Sequence, residues 1–293
     1  MHETIRVGSM DRSYWVAPLP VRDTPGPPPL LLVLHGAGAQ GPGTAALTGL
    51  HHRATAAGFV AVFPDGHGRV WNDSRDAPAV RRHAGVDDVG FLQALVARFA
   101  SDGRARADGV FLTGISNGAL MSEHIARQGL LPVAGIGLVA GPGTQASRAA
   151  RPQPASAATV VIFSGTADPL IPYAGGPIGP LGRMVQRRVG GSTDRGLAVA
   201  AESAAADWAA ANGVDGSPAV EEVSVASDDP RVTRLAWRAP GRPSGVLYRI
   251  DGGGHTWPGG PQYLPVRFVG RVARSLDASR IILDEFRASD ASR

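Results

Sequence analysis

Apolar and polar positions along this chain fall into short runs that switch between two periods. Residues 4–7 and 13–16 alternate around Gly8-Ser9-Met10-Asp11, which predicts an N-terminal hairpin. A proline-rich stretch from Pro20 to Pro29 can only be a loop. Leu30-Leu-Leu-Val-Leu34 is then apolar on both faces, the mark of a buried parallel strand, and residues 59–63, 110–116, 133–139 and 159–163 repeat it. Between these runs the spacing becomes three and four. It predicts a helix over 44–57 and another opened by Asp87 as N-cap, with Val89, Leu92, Leu95, Val96 and Phe99 on one face. A third helix over 197–211 carries Leu197, Ala200, Ala204, Trp208 and Ala211 on one face and stops at Asn212-Gly213. Residues 145–158 read as a surface connection, 169–196 as an excursion rich in Gly, Pro and Arg, and 220–225, 232–237 and 246–250 as strands. Asp277 caps a last helix over 278–286. Buried strands alternating with helices predict one α/β domain, residues 1–293, built on a doubly wound, mostly parallel sheet with an N-terminal hairpin.

In that architecture ligands sit at the carboxyl ends of strands. His35, Asp65, Ser116, Asp168 and His255 all follow predicted strand ends. Ser116 lies in Gly114-Ile-Ser-Asn-Gly118, where an apolar run turns at once into helical spacing. Strand, G-x-S-x-G turn and helix form a nucleophile elbow, with small residues two before and two after the serine so that strand and helix close without collision. A serine hydroxyl needs a base oriented by a carboxylate. Of the eight histidines, His2 is terminal, His51 and His52 fall in a helix, His124 lies two turns past the elbow, and His67 and His83 sit in a polar loop. His255 follows a strand and three glycines, with the reach to return over the sheet edge. Asp168 follows a buried strand and precedes a proline that turns the chain, and Asp65 is the alternative carboxylate. For the oxyanion hole, one backbone donor is Asn117 at the start of the elbow helix. The second comes from His35-Gly-Ala-Gly38, with Ala37 chosen and Gly36 or Gly38 open.

The same loop carries a competing reading. Gly36-Ala-Gly-Ala-Gln-Gly41 fits a dinucleotide fingerprint, and Asp65 ends the next strand, as an NAD(P)-dependent oxidoreductase requires. Against it, Pro42-Gly43 stand where a helix should already run, and Ser116, Asp168 and His255 are left unexplained. A third reading is a hydrolase-fold binding module without catalysis.

Composition narrows the field further. There is no cysteine, which excludes disulfides, thiol nucleophiles and cysteine-ligated metals. There is no lysine either, so all 29 basic residues are arginine and a Gly-Lys-Ser/Thr phosphate loop is absent. Arginine explains a pI near 10.2 beside a net charge of only +4. The arginines are scattered, with pairs only at Arg81-Arg82 and Arg187-Arg188, so nucleic acid is not an expected partner. No apolar run is long enough to span a bilayer, and the first residues hold no apolar signal segment. The expectation is a cytoplasmic home, with secretion after removal of a signal as the alternative. Oligomeric state is not specified.

Taken together, His35-Gly-Ala-Gly38, Val70-Trp-Asn-Asp73, Val86-Asp-Asp-Val-Gly-Phe91, Gly114-Ile-Ser-Asn-Gly118, Gly165-Thr-Ala-Asp168 with Pro172-Tyr173, and Gly252-Gly-Gly-His-Thr-Trp-Pro-Gly-Gly-Pro-Gln-Tyr263 resemble the polyhydroxybutyrate (PHB) depolymerase-type esterases. This group of α/β-hydrolases includes related feruloyl and acetylxylan esterases. The resemblance spans nearly the whole chain. It implies Ser116 as nucleophile, Asp168 as orienting acid and His255 as base, hydrolysing carboxylic esters through an acyl-enzyme with no cofactor or metal. The implied partner is a small or oligomeric ester, with a polyester surface as a further target. No separate substrate-binding domain and no cysteine pair is visible, so soluble oligomers and small esters are expected to outrank crystalline polymer. Trp71, Leu170, Tyr173 and Trp257 are the expected substrate walls, with Trp257 equally suited to holding the histidine loop. Trp208 is expected in the core, and Asp87 and Asp88 at a helix cap rather than on a ligand.

Overall fold

The apolar runs become the strands of a single sheet. The computed structural model describes residues 1–21, 26–73, 75, 77, 85–151, 153–179, 195–223 and 226–291; His83 and the pairs Arg81-Arg82 and Arg187-Arg188 lie outside them. The strands are β1 (His2–Val7), β2 (Met10–Val16), β3 (Leu30–Leu34), β4 (Val60–Pro64), β5 (Val110–Ile115), β6 (Val133–Val139) and β7 (Thr159–Gly165). After β7 come β8 (Gly176–Pro177), β9 (Leu197–Ala198), β10 (Ala219–Val223), β11 (Arg231–Trp237) and β12 (Gly245–Asp251). The 10-stranded sheet runs β1-β2-β4-β3-β5-β6-β7-β12-β11-β10, while β8 and β9 pair separately. Neighbours from β4 to β12 in that order are parallel, and the hairpins at both edges are antiparallel.

The all-apolar strands have two cores because a strand points alternate residues to opposite faces. On β3, Leu30, Leu32 and Leu34 join one core, and Leu31 and Val33 the other. Helices α3 (Asp88–Ser101), α4 (Asn117–Gln128) and α6 (Ala201–Ala211) cover the first face through Phe91, Met121 and Trp208. Helices α1 (Gly41–Thr48), α2 (Leu50–Ala56) and α8 (Ala278–Ala291) cover the second through Ala45, Leu50, Ile282 and Phe286. Trp208 is core, as its helical spacing predicts. Polar edge strands close the sheet: β10 is exposed along nearly its whole length.

Several boundaries differ from the sequence expectation. The predicted helix over 44–57 is two helices that break at Gly49, where φ is 65°. Leu197 is not helical but pairs in the β8–β9 ribbon, and α6 starts at Ala201. The connection 145–158 contains the short helix α5 (Gln145–Ala150), capped by Thr144. A further short helix, α7 (Val266–Val269), follows the His255 loop. Both carboxylate caps stand as expected: Asp87 accepts from Gly90 N at 2.7 Å and Asp277 from Arg280 N at 3.0 Å. Among the described residues, no helix is long and apolar enough to cross a membrane.

Candidate active site

Ser116 stands where β5 ends and α4 begins, in a backbone conformation that other residues avoid. Its φ of 58° and ψ of −124° put a residue with a Cβ in a sparsely populated region, at a cost on the order of 1–3 kcal/mol. The surroundings hold it there. Its N–H donates to Val139 O (2.9 Å) on β6, and its carbonyl accepts from Leu120 N (2.9 Å) in α4. The flanking glycines answer a close approach of backbone. A Cβ on Gly118 would lie 2.3 Å from Leu34 O, and one on Gly114 would lie 2.6 Å from Gly118 C. The spacing of the elbow is therefore a packing requirement of β3, β5 and α4 together.

Asp168 and His255 come from loops beyond two neighbouring strands, β7 and β12. The Asp168 carboxylate is fully engaged: Oδ1 accepts from Leu170 N (2.7 Å) and Ile171 N (2.9 Å), and Oδ2 pairs with His255 Nδ1 at 2.8 Å. Both side chains are buried, at 0% and 3% exposure. Nδ1 thus carries the proton given to Asp168, and Nε2 is left as the basic nitrogen. Among the described residues Ser116 Oγ and His255 share no hydrogen bond. Without substrate such contacts are often long and tighten when it binds. The histidine loop is held by the segment that follows it. His255 N–H donates to Val269 O at 2.5 Å, and the Tyr263 hydroxyl donates to His255 O at 2.7 Å. Burial, and then the nearby Asp168 carboxylate, push the Tyr263 phenol up to about 12, so it keeps the proton it donates.

The loop after β3 is tied to the elbow by a bracket of polar contacts. Asn117 Oδ1 accepts from Trp71 N (2.7 Å), while its Nδ2 donates to Trp71 O (3.0 Å) and Asp73 Oδ2 (2.9 Å). Trp71 in turn donates its indole N–H to His35 O at 3.0 Å. Asn72 N donates to Asp88 Oδ2 (2.7 Å), and Asp88 is ion-paired with the buried Arg12. His35 accepts from Gly66 N at Nε2 and donates from Nδ1 to Gly36 O, both at 2.8 Å. Only the neutral ring makes both bonds, and burial accordingly holds its pKa below the ordinary imidazole value. Gly38 N–H is committed to Arg69 O (2.8 Å) and Ala39 N–H to Gly36 O (3.0 Å). Among the described residues the amides of Ala37 and Asn117 have no acceptor.

The substrate walls fall differently from the expectation. Trp71 and Trp257 are buried, at 0% and 1% exposure, and cannot present a ring face to a ligand. Trp71 packs on the His35 ring (centroids 5.0 Å apart), and Trp257 donates to Ser279 Oγ at 2.9 Å inside the second core. Each indole is large enough to fill a core gap and finds a polar partner there, which loop position in a sequence does not disclose. Leu170 and Tyr173 are half-buried; Leu170 packs with Ile171 against Leu120 of α4, and Tyr173 donates to Glu202 Oε1 at 2.7 Å. Asp65, the acidic residue of the dinucleotide reading, is consumed inside the fold. Its carboxylate accepts from Gly41 N at Oδ1 and from Ser13 Oγ at Oδ2, both at 2.8 Å, so both oxygens are engaged within the fold. The described residues contain no group of three or more His, Asp or Glu placed to hold a metal ion.

Three contributions were missed from the sequence: the Asn117 side chain, neutral His35 and the Tyr263 hydroxyl. The motif Val70-Trp-Asn-Asp73 held the signal for the first, with Trp71 expected as a wall rather than as part of a bracket.

No family model matches the chain. NocK of Nocardia uniformis subsp. tsuyamanensis, which its name describes as an inferred esterase, is 29% identical over 260 residues, covering 87% of this chain and 73% of that one. An acetyl xylan esterase from Aspergillus awamori superposes with a TM-score of 0.57 at 14% identity, covering 87% of this chain and 94% of that structure. The chain therefore has the α/β-hydrolase fold, with an esterase-like sequence.

Proposed function

We propose that this chain is a serine carboxylic ester hydrolase acting through Ser116, His255 and Asp168. One observation carries the reading: a strained serine at the strand–helix elbow shares its sheet edge with a histidine whose Nδ1 lies 2.8 Å from a buried carboxylate. His255 Nε2 takes the proton of Ser116 Oγ as the oxygen attacks the ester carbonyl. The developing oxyanion is met by the amides of Ala37 and Asn117, the second at the N-terminus of α4, where the helix dipole also favours negative charge. The Gly38 amide is engaged by Arg69 O, which supports a donor from Ala37, with Gly36 as the alternative. His255 then protonates the leaving alkoxide, and water, deprotonated by the same nitrogen, releases the acid from Ser116.

The similarity to an esterase supports the reaction type. The motifs that resemble PHB depolymerase-type and feruloyl esterases support hydroxyalkanoate oligomers, amorphous polyester and aromatic esters as substrates. The test is hydrolysis of short p-nitrophenyl esters by the wild type and by Ser116→Ala. Loss of the nucleophile is expected to lower kcat by several powers of ten. Unchanged turnover in that variant refutes the mechanism. A panel of oligomeric, feruloyl and acetylated esters ranked by kcat/KM separates the substrate classes.

A further inference from the structure

With Trp71 and Trp257 buried, the apolar surface open to a substrate lies elsewhere. Nine large apolar residues among the described ones are well exposed, and four of them, Tyr263, Leu264, Val266 and Phe268, fall within six positions just after the His255 loop. Their exposures are 39, 47, 52 and 50%. The other five, Met1, Leu19, Val21, Leu197 and Val220, are scattered over the N-terminus, the proline-rich stretch and outlying strands. Single exposed apolar residues are ordinary, whereas a cluster beside a candidate base calls for a ligand.

The strip is built rather than loose. Pro265 opens α7, and Gln262 Nε2 donates to Leu264 O (2.8 Å) and Gly270 O (2.9 Å). The Arg267 guanidinium lies 4.6 Å from the centroid of the Phe268 ring and steadies it from one face. Several bonds join this segment to the histidine loop, among them His255 N to Val269 O, Gly254 N to Arg271 O and the Tyr263 hydroxyl to His255 O. Whatever rests on the strip is therefore registered against the main chain of His255.

Chemistry decides which part of an ester that is. The base must hand its proton to the leaving oxygen, so that oxygen lies against the imidazole and the alcohol part passes the histidine loop. The carbonyl faces the amides of Ala37 and Asn117. Resting on the esterase reading, we infer that residues 263–268 form the alcohol-side binding surface. The preferred substrates are then esters whose alcohol part carries an extended apolar or aromatic body.

Two ester series test this. In one, butyrate is fixed and the alcohol runs from ethyl to octyl and naphthylmethyl. All members form the same butyryl-enzyme, so differences in kcat/KM arise before it. In the other, p-nitrophenol is fixed and the acyl chain lengthens from acetyl to octanoyl. The wild type should prefer octyl over ethyl butyrate. Phe268→Ser combined with Leu264→Ser should lower that ratio about tenfold, the loss of a partly covered apolar side chain or two. Val220→Ser, on the far edge strand, should leave it in place. An active enzyme with the same octyl-to-ethyl ratio in the double variant overturns the strip alone, as does a loss confined to the acyl series. A wild type that hydrolyses none of the esters overturns the esterase reading and the strip with it.

Discussion

Asp168 does two jobs with two oxygens, and their separation makes the pair rigid. Oδ1 is held by two main-chain amides, so Oδ2 can face only His255. Asp168→Asn keeps the volume but puts an amide opposite Nδ1. The imidazole is then free to take the wrong tautomer, with its proton on the nitrogen that should act as base. We expect a loss in kcat of roughly 10⁴ with little change in melting temperature, read from p-nitrophenyl ester turnover and a thermal melt. Asn117 shows a comparable economy: its main-chain amide has no acceptor among the described residues, while its side chain clamps Trp71 and Asp73. The residue after the serine thus reaches the loop after β3 through Trp71, whose indole donates to His35 O.

Between elements, buried polar contacts do what apolar packing cannot, which is to fix direction. Arg12 on β2 and Asp88 at the start of α3 are 3% and 1% exposed and 2.5 Å apart, and Asp88 also accepts from Asn72 N. The pair joins the N-terminal hairpin to the bracket around Trp71. Asp88→Ala takes the partner from a buried guanidinium and from the half-buried Asn72 amide together. It should cost about 3–5 kcal/mol in urea unfolding, whereas Asp87→Ala, which removes only the exposed cap on Gly90, should cost about 1 kcal/mol. Comparable losses for the two variants would mean that the pair carries no special weight.

For the whole molecule, the loop above β3 couples stability to pH. Burial lowers the pKa of His35, and of His124 in α4 likewise. A histidine depressed in the folded state leaves the unfolded chain to bind protons first. Its contribution is therefore present above the ordinary value of about 6.5 and is lost as pH falls through the folded value. Unfolding free energy should fall between pH 7.5 and 5.5. The difference between wild type and His35→Gln should shrink over the same interval, because the subtraction cancels the groups common to both. A difference constant with pH would show that His35 does not titrate on unfolding. The alcohol-side strip also belongs to this scale, since it exists only where the return from α7 meets the His255 loop.

Local information was enough for much of this. Strands that are apolar on both faces, caps such as Asp87 and the G-x-S-x-G elbow are written in neighbouring residues. So is the chain order Ser116, Asp168, His255, and from these follow the α/β class and the edge of the sheet where chemistry belongs. Helix breaks were less legible: the apolar spacing over 44–57 runs on, while the backbone turns left-handed at Gly49. What only tertiary structure decided was the fate of side chains whose partners are remote in the chain. Trp71 meets His35 and Asn117, Trp257 meets Ser279, and Asp65 spends its carboxylate on Ser13 and Gly41. An indole or a carboxylate in a loop looks the same in sequence whether it faces a ligand or the core. Burial and the saturation of hydrogen bonds choose between these outcomes, and both depend on contacts made only once the sheet has assembled.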